Sequence, residues 1–253
     1  AGAPRAGAGR RAGGRAERVP PPTTAATTAS TVDPDDVLPP VPDGPDPCGR
    51  PGLAGRGRFC YDAIGAGRGP TFVVVPGVAG GKPYALSRAE VTINEFNVYC
   101  STTGRCRPLP VPSAAAGTLP ATGIPASQAR AYARWLVHAT GGWRHRLPTE
   151  AEWRHAAHAS ANWRQAPDSN CVPPTADAGS EGAPVSARGR ATNPWGLINM
   201  SGNVWEWTDS GGSLAVQGGS YSSLWSECTV EARRADSGSA QADVGFRVLR
   251  ELK

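Results

Sequence analysis

Residues 193–210 read NPWGLINMSGNVWEWTDS. Within this stretch Trp195, Trp205 and Trp207 are separated by glycine, asparagine, proline and serine, the residues that punctuate turns. Neither the 3.6-residue nor the two-residue apolar period runs through it. From about residue 160 onward the chain keeps this irregular character. Eight tryptophans in a chain with so few helical stretches point to loops pinned by large aromatic anchors.

Working toward the N-terminus, the pattern becomes regular. In RLPTEAEWRHAAHA (146–159), Thr149 and Glu152 have the spacing of a capping box, which predicts a helix over about 150–159. ASQARAYARWLVHAT (126–140) places Ala129, Tyr132, Ala133 and Leu136 at i, i+3, i+4 and i+7, and Gly141-Gly142 supplies the stop. Thr92 and Glu95 form a second capping box opening a helix over about 93–102. TFVVV (71–75), ended by Pro76-Gly77, reads as a buried strand, YALSRAEV (84–91) as another, and VGFRVLREL (244–252) as a strand near the end. No internal repeat is visible.

The first 46 residues contain almost no large apolar side chain. Such a segment cannot bury enough surface to offset its chain entropy, so residues 1–46 are expected to be a disordered Pro/Thr/Ala/Gly/Arg-rich linker and 47–253 a single domain. The chain begins at Ala1 without a methionine, and a linker of this kind is expected to follow a membrane anchor or another module. No apolar run is long enough to span a bilayer, and no secretory leader pattern is visible. The net charge of +5 owes much to five arginines in the first 18 residues. Without a zinc finger, an RNA-binding signature or a lysine-rich patch, no nucleic-acid partner is expected, and membrane contact is expected only through an upstream anchor.

Six cysteines form an even set with no C-x-x-C pair. Cys48/Cys60 and Cys100/Cys106 enclose short polar loops, which suits disulfides in an oxidising compartment; by elimination, Cys171 and Cys228 remain for each other. The expected location is therefore periplasmic or secreted. His155 and His158 stand three apart on one helix without a third ligand, and are expected to face solvent. Asp236 and Asp243 flank a Gly/Ser loop and read as turn residues.

RLPTEAEWRHAA (146–157), NPWGLINMSGNVWEWTDS (193–210), GGSYSS (218–223) and GFRVLR (245–250), in this order, resemble the formylglycine-generating enzyme, or sulfatase-modifying factor, family. AEVTINEFNVYC (89–100) and SQARAYARWL (127–136) resemble its entry elements, so the likeness covers roughly 69–251. It implies an α+β fold, a variant of the C-type lectin fold with low regular secondary structure, small twisted sheets and two main helices.

The family's formylglycine-forming members use two cysteines five apart after the Gly-Gly-Ser-Tyr block to bind copper(I). Aligned on that block, the positions hold Ser223 and Cys228, and the family's active-site serine is Ser220. Copper(I) is soft and prefers thiolate, so a serine hydroxyl is a poor substitute and copper is not expected. The resemblance further implies a calcium ion on the loop of Gly202, Asn203, Val204 and Glu206, since hard oxygen ligands suit that ion. A second family calcium site uses an aspartate near the position of Ser186.

These observations favour a non-catalytic, exported recognition domain. Its expected partner is a protein or glycan, held at a groove around Tyr221, Ser223 and Trp225. Two other readings stay open: a copper- or iron-dependent oxidase of the same family, and a sensor domain tethered to a kinase or membrane module.

Overall fold

The computed structural model describes residues 37–160, 170–173, 182–187 and 192–253, together with Gly2. The chain separates into two units, Ala1–Asp33 and Pro34–Lys253, and the second carries all that follows. Most of the expected linker lies outside the described residues. Its last ten residues, 37–46, are described, and they sit against the domain: Asp46 accepts a 2.9 Å hydrogen bond from the Arg250 guanidinium, and Lys253 Nζ donates to Pro42 O. Gly142 explains part of that seating. It lies at φ 114°, and a Cβ there would run into Pro40 O.

The regular elements are β1 (Phe59–Ile64), β2 (Gly67–Val75), β3 (Tyr84–Ser87), α1 (Ile93–Thr103), α2 (Ala126–Ala139), β4 (His145–Arg146), α3 (Glu150–His158), β5 (Trp205–Ser210), β6 (Ser213–Gln217), β7 (Arg233–Ala235), β8 (Val244–Gly245) and β9 (Leu249–Glu251). They form a five-stranded sheet in the order β1-β2-β3-β9-β4 and a four-stranded sheet in the order β7-β6-β5-β8. All pairs are antiparallel except β5 with β8. The fold is thus α+β with small sheets, as expected, although α1, at 11 residues against 9 for α3, makes a third helix of comparable size.

Both capping boxes form. Thr92 and Thr149 each accept from the backbone N–H three residues on, and Glu95 and Glu152 each accept in return from the cap N–H. Phe96, Tyr99, Tyr132 and Phe246 meet between α1, α2 and the C-terminal segment, with the Tyr132 and Phe246 rings 5.5 Å apart. Each such fully buried side chain contributes roughly 1.5–3 kcal/mol.

Two predicted strands need correction. The one predicted over 84–91 ends at Ser87, where the chain leaves the sheet to turn Glu90 inward and to set Thr92 as a cap. The one predicted over 244–252 is two strands in different sheets. Residues 246–248 cross between the sheets, which puts the Arg247 side chain in the interior while Phe246 and Val248 fill the core.

Candidate functional site

Two loops meet above that crossover. Gly202 N–H donates to Gly218 O at 2.8 Å and Tyr221 N–H to Asn203 O at 2.9 Å, so the 201–204 loop and the Gly-Gly-Ser-Tyr turn are bonded together. Gly219 permits the closure. It lies at φ 81°, and a Cβ there would stand 3.0 Å from Cys228 Cα. The Cys171–Cys228 disulfide then ties this turn to the chain 57 residues earlier. Cys48–Cys60 and Cys100–Cys106 are also bonded, so the three expected pairs are the ones present and no cysteine is free.

Beneath the turn lies a cluster of hydroxyls on one carboxylate. Ser220 Oγ and Ser222 Oγ donate to Asp243 Oδ2 at 2.7 and 2.8 Å, and Ser220 N–H donates to Ser223 Oγ at 3.1 Å. Ser220 and Ser223 are buried. Asp243, read from sequence as a turn residue, is the acceptor that organises this corner. Its spacing from the serines, more than twenty residues, left no local signal. Oxygen donors of this kind are hard, and with Cys228 held in a disulfide the corner offers copper(I) no thiolate.

The expected binding groove around Tyr221, Ser223 and Trp225 is only partly a surface. Ser223 faces inward. Leu224 and Trp225 are exposed, at 53% and 42%, and they stand side by side because Val172 brackets them. Its N–H donates to Ser223 O, and its carbonyl accepts from Trp225 N–H. Tyr221 Oη donates to Ala242 O at 3.3 Å, which turns its ring toward the 242–243 corner.

The predicted calcium ligands are committed elsewhere. Arg247 Nε and Nη2 each donate to Glu206 at 2.6 Å, one to each carboxylate oxygen, and Trp153 Nε1 donates to Glu206 Oε2 at 2.6 Å. Asn203 Oδ1 accepts from Asn170 Nδ2 and Val185 N–H, while Asn203 Nδ2 donates to Glu90 Oε1 at 2.7 Å. Glu206 is already neutralised by a guanidinium, and among the described residues no group of three or more His, Cys, Asp or Glu is placed for a metal. The side-chain shell of Asn203 and Glu206 therefore does not fit a calcium ion. Asn199 Oδ1 is buried nearby with no partner among the described residues. Gly202 and Val204 form the walls of this loop, and both are buried. At the second expected position, Ser186 Oγ donates to Thr118 Oγ1.

Glu90 was missed by sequence reading, because a lone glutamate beside a capping box signals nothing. It is buried between Asn203 and Asn199, whose Nδ2 donates to Glu90 Oε2 at 3.1 Å. Burial, and then the like charge of Glu206, pushes its carboxyl up to about 7 against the pull of Arg247 and Asn203. Arg247 keeps its charge because Glu206 outweighs the cost of its burial. The histidine pair is not solvent-facing as a unit. His155 is half-buried, with Nε2 3.0 Å from Pro76 O and its ring against Trp195, while the more open His158 pairs with Glu231.

Comparison with known proteins bears on the whole of this arrangement. The sulfatase-modifying factor enzyme 1-like domain family matches residues 77–252. Similar solved structures include PvdO from Pseudomonas aeruginosa, with a TM-score of 0.61 and 22% identity, covering 78% of this chain and 99% of that one. Treponema denticola variable protein 1 gives 0.57 and 18%, covering 77% and 99%. CarF gives 0.54 and 20%, covering 76% and 93%. At these identities the likeness concerns fold. No curated protein sequence matches the chain.

Proposed function

The chain belongs to the family of sulfatase-modifying factor enzyme 1-like domains, and on that premise we propose that it is an exported recognition domain that does not run copper oxidase chemistry. One observation carries the reading: Cys228 is bonded to Cys171, and Ser223 occupies the place where the family resemblance calls for the first thiol. A metal that wants two thiolates meets none in the oxidised protein, and at most one from this corner after reduction. Recognition is the use that such a corner supports. The exposed Leu224–Trp225 pair beside the Tyr221 ring offers an aromatic anchor of the kind that dominates binding surfaces, and the partner is a protein or glycan.

Three disulfides support an extracytoplasmic location, periplasmic or secreted, and no helix among the described residues is long and apolar enough to cross a membrane. The test is a copper(I) titration against a competing chelator, on native protein and on the Ser223→Cys/Cys171→Ala variant. The native protein should leave the chelator loaded, while the variant, with a thiol pair at 223 and 228, should strip it. Stoichiometric copper uptake by the native protein would contradict the proposal.

A further inference from the structure

Away from this corner, on the side where β2 passes the start of α1, two cavities adjoin. One, of about 240 Å³, lies over the turn from β3 to α1 and is lined by Thr71, Arg88, Glu90, Thr92 and Glu95 among others. The second, also about 240 Å³, has mostly apolar walls, with Ile64, Val98, Tyr132 and Trp135 in its lining. Pro70 and Glu95 line both, so they are two lobes of one groove. Each alone is small for a ligand site of roughly 300–1,000 Å³, and together they reach that range.

The lobes differ in chemistry. In the first, the Arg88 guanidinium lies over the exposed Phe59 ring, 4.7 Å from its centroid, with Nε buried and unpartnered. Among the described residues no carboxylate pairs with it. The two glutamates in that wall are committed: Glu95 Oε2 accepts from Thr92 N–H and Oγ1, and Glu90 accepts from Asn203 and Asn199. A half-buried guanidinium left without an anion is unusual, because a charge withdrawn from water needs a partner. Arginine also matches a carboxylate in two parallel hydrogen bonds. The second lobe supplies aromatic and aliphatic walls, with Arg68 at its rim, whose guanidinium caps the Tyr61 ring at 4.3 Å.

The geometry points to a binding site for a small carboxylate with an apolar or aromatic tail, the carboxylate on Arg88 and the tail between Val98, Tyr132 and Trp135. This site is separate from the Leu224–Trp225 surface and does not depend on the reading given to it.

A direct test uses 3-phenylpropionate and its uncharged amide, titrated into the intact chain by calorimetry at fixed ionic strength. The acid should bind one to one, and the amide at least tenfold more weakly. Arg88→Gln should bring the acid down to the level of the amide while leaving the amide's own affinity unchanged. Val98→Asp, on an exposed position of α1, should weaken both ligands and leave the fold intact. Equal binding of acid and amide by the wild-type chain would overturn the site, as would no binding of either at millimolar concentration. Both of those readings need no variant to fold.

Discussion

Two arginines three residues apart, Arg247 and Arg250, are both fully buried, yet Arg250 pairs with two carboxylates and Arg247 with one, so the two clusters are balanced differently. Arg250 donates through Nε and Nη2 to Asp62 at 2.9 and 3.1 Å and through Nη1 to Asp46, and it stacks over Trp143 at 4.2 Å. His145 Nε2 lies 3.3 Å from Asp62. Burial pushes Asp62 up, but contacts from His145 and Arg250 outweigh it and hold the carboxyl below the usual range; Asp46 is held down by the same arginine against a weaker burial cost. Arg247, by contrast, gives its bidentate face to Glu206 alone, and Glu90, bonded only to amides, is driven up to about 7. The first cluster fastens Asp46, just ahead of Cys48, and Asp62 of β1 to Arg250 of β9. The second holds an excess carboxylate at the floor of the candidate site.

The largest expected effect comes from removing the guanidinium that both halves of the site lean on. Arg247→Met leaves Glu206 buried and unpaired and also frees the carbonyls of Ser87 and Ile198. It should cost about 3–5 kcal/mol by denaturant unfolding. Arg250→Met should cost less, because Asp62 keeps His145 and Asp46 can turn toward water. Equal losses would mean that the two clusters are not balanced differently.

Next in importance comes the Cys171–Cys228 disulfide. The Cys171–Cys228 loop spans 57 residues, and on the chain-entropy account its removal by a Cys171→Ala/Cys228→Ala double variant should cost about 4 kcal/mol or less. A calorimetric melt of the oxidised double variant against wild type measures it.

The pH responses should have opposite signs. Asp62 has a depressed folded pKa, so its stability is present above its ordinary value of 3.8 and is lost as pH falls through the lower folded value. Glu90 has a raised one, so the folded state holds an extra proton between 4.5 and about 7, and stability falls as pH rises across that window. Glu90→Gln should flatten the upper window and leave the acid limb intact; Asp62→Asn should do the reverse. Denaturation midpoints from pH 2 to 8 decide it.

The smallest effect belongs to the surface. Arg154 and His158 both reach Glu231, at 2.6 and 2.7 Å, but all three are well exposed. Glu231→Gln should therefore change stability by less than about 1 kcal/mol and less still in high salt.

What the sequence made legible was whatever is local. Thr92 with Glu95 and Thr149 with Glu152 announce their helices within four residues, and short cysteine-bracketed loops announce two disulfides. The block order carried the fold. What it hid was non-local: the crossover at Arg247, which looks like one alternating strand, and the partnership of Asp243 with serines more than twenty residues earlier. The surroundings of the expected calcium loop were hidden for the same reason. A Gly-Asn-Val-Trp-Glu loop looks open in sequence, while the guanidinium that occupies Glu206 lies 41 residues away.

The central claim is that this member of the family recognises a partner and does not oxidise cysteine. Its most direct test supplies the native protein with a sulfatase-motif peptide, copper(I), reductant and oxygen, and follows aldehyde formation by mass. The account predicts no aldehyde above that of a Cys228→Ala control; turnover above that control would contradict it.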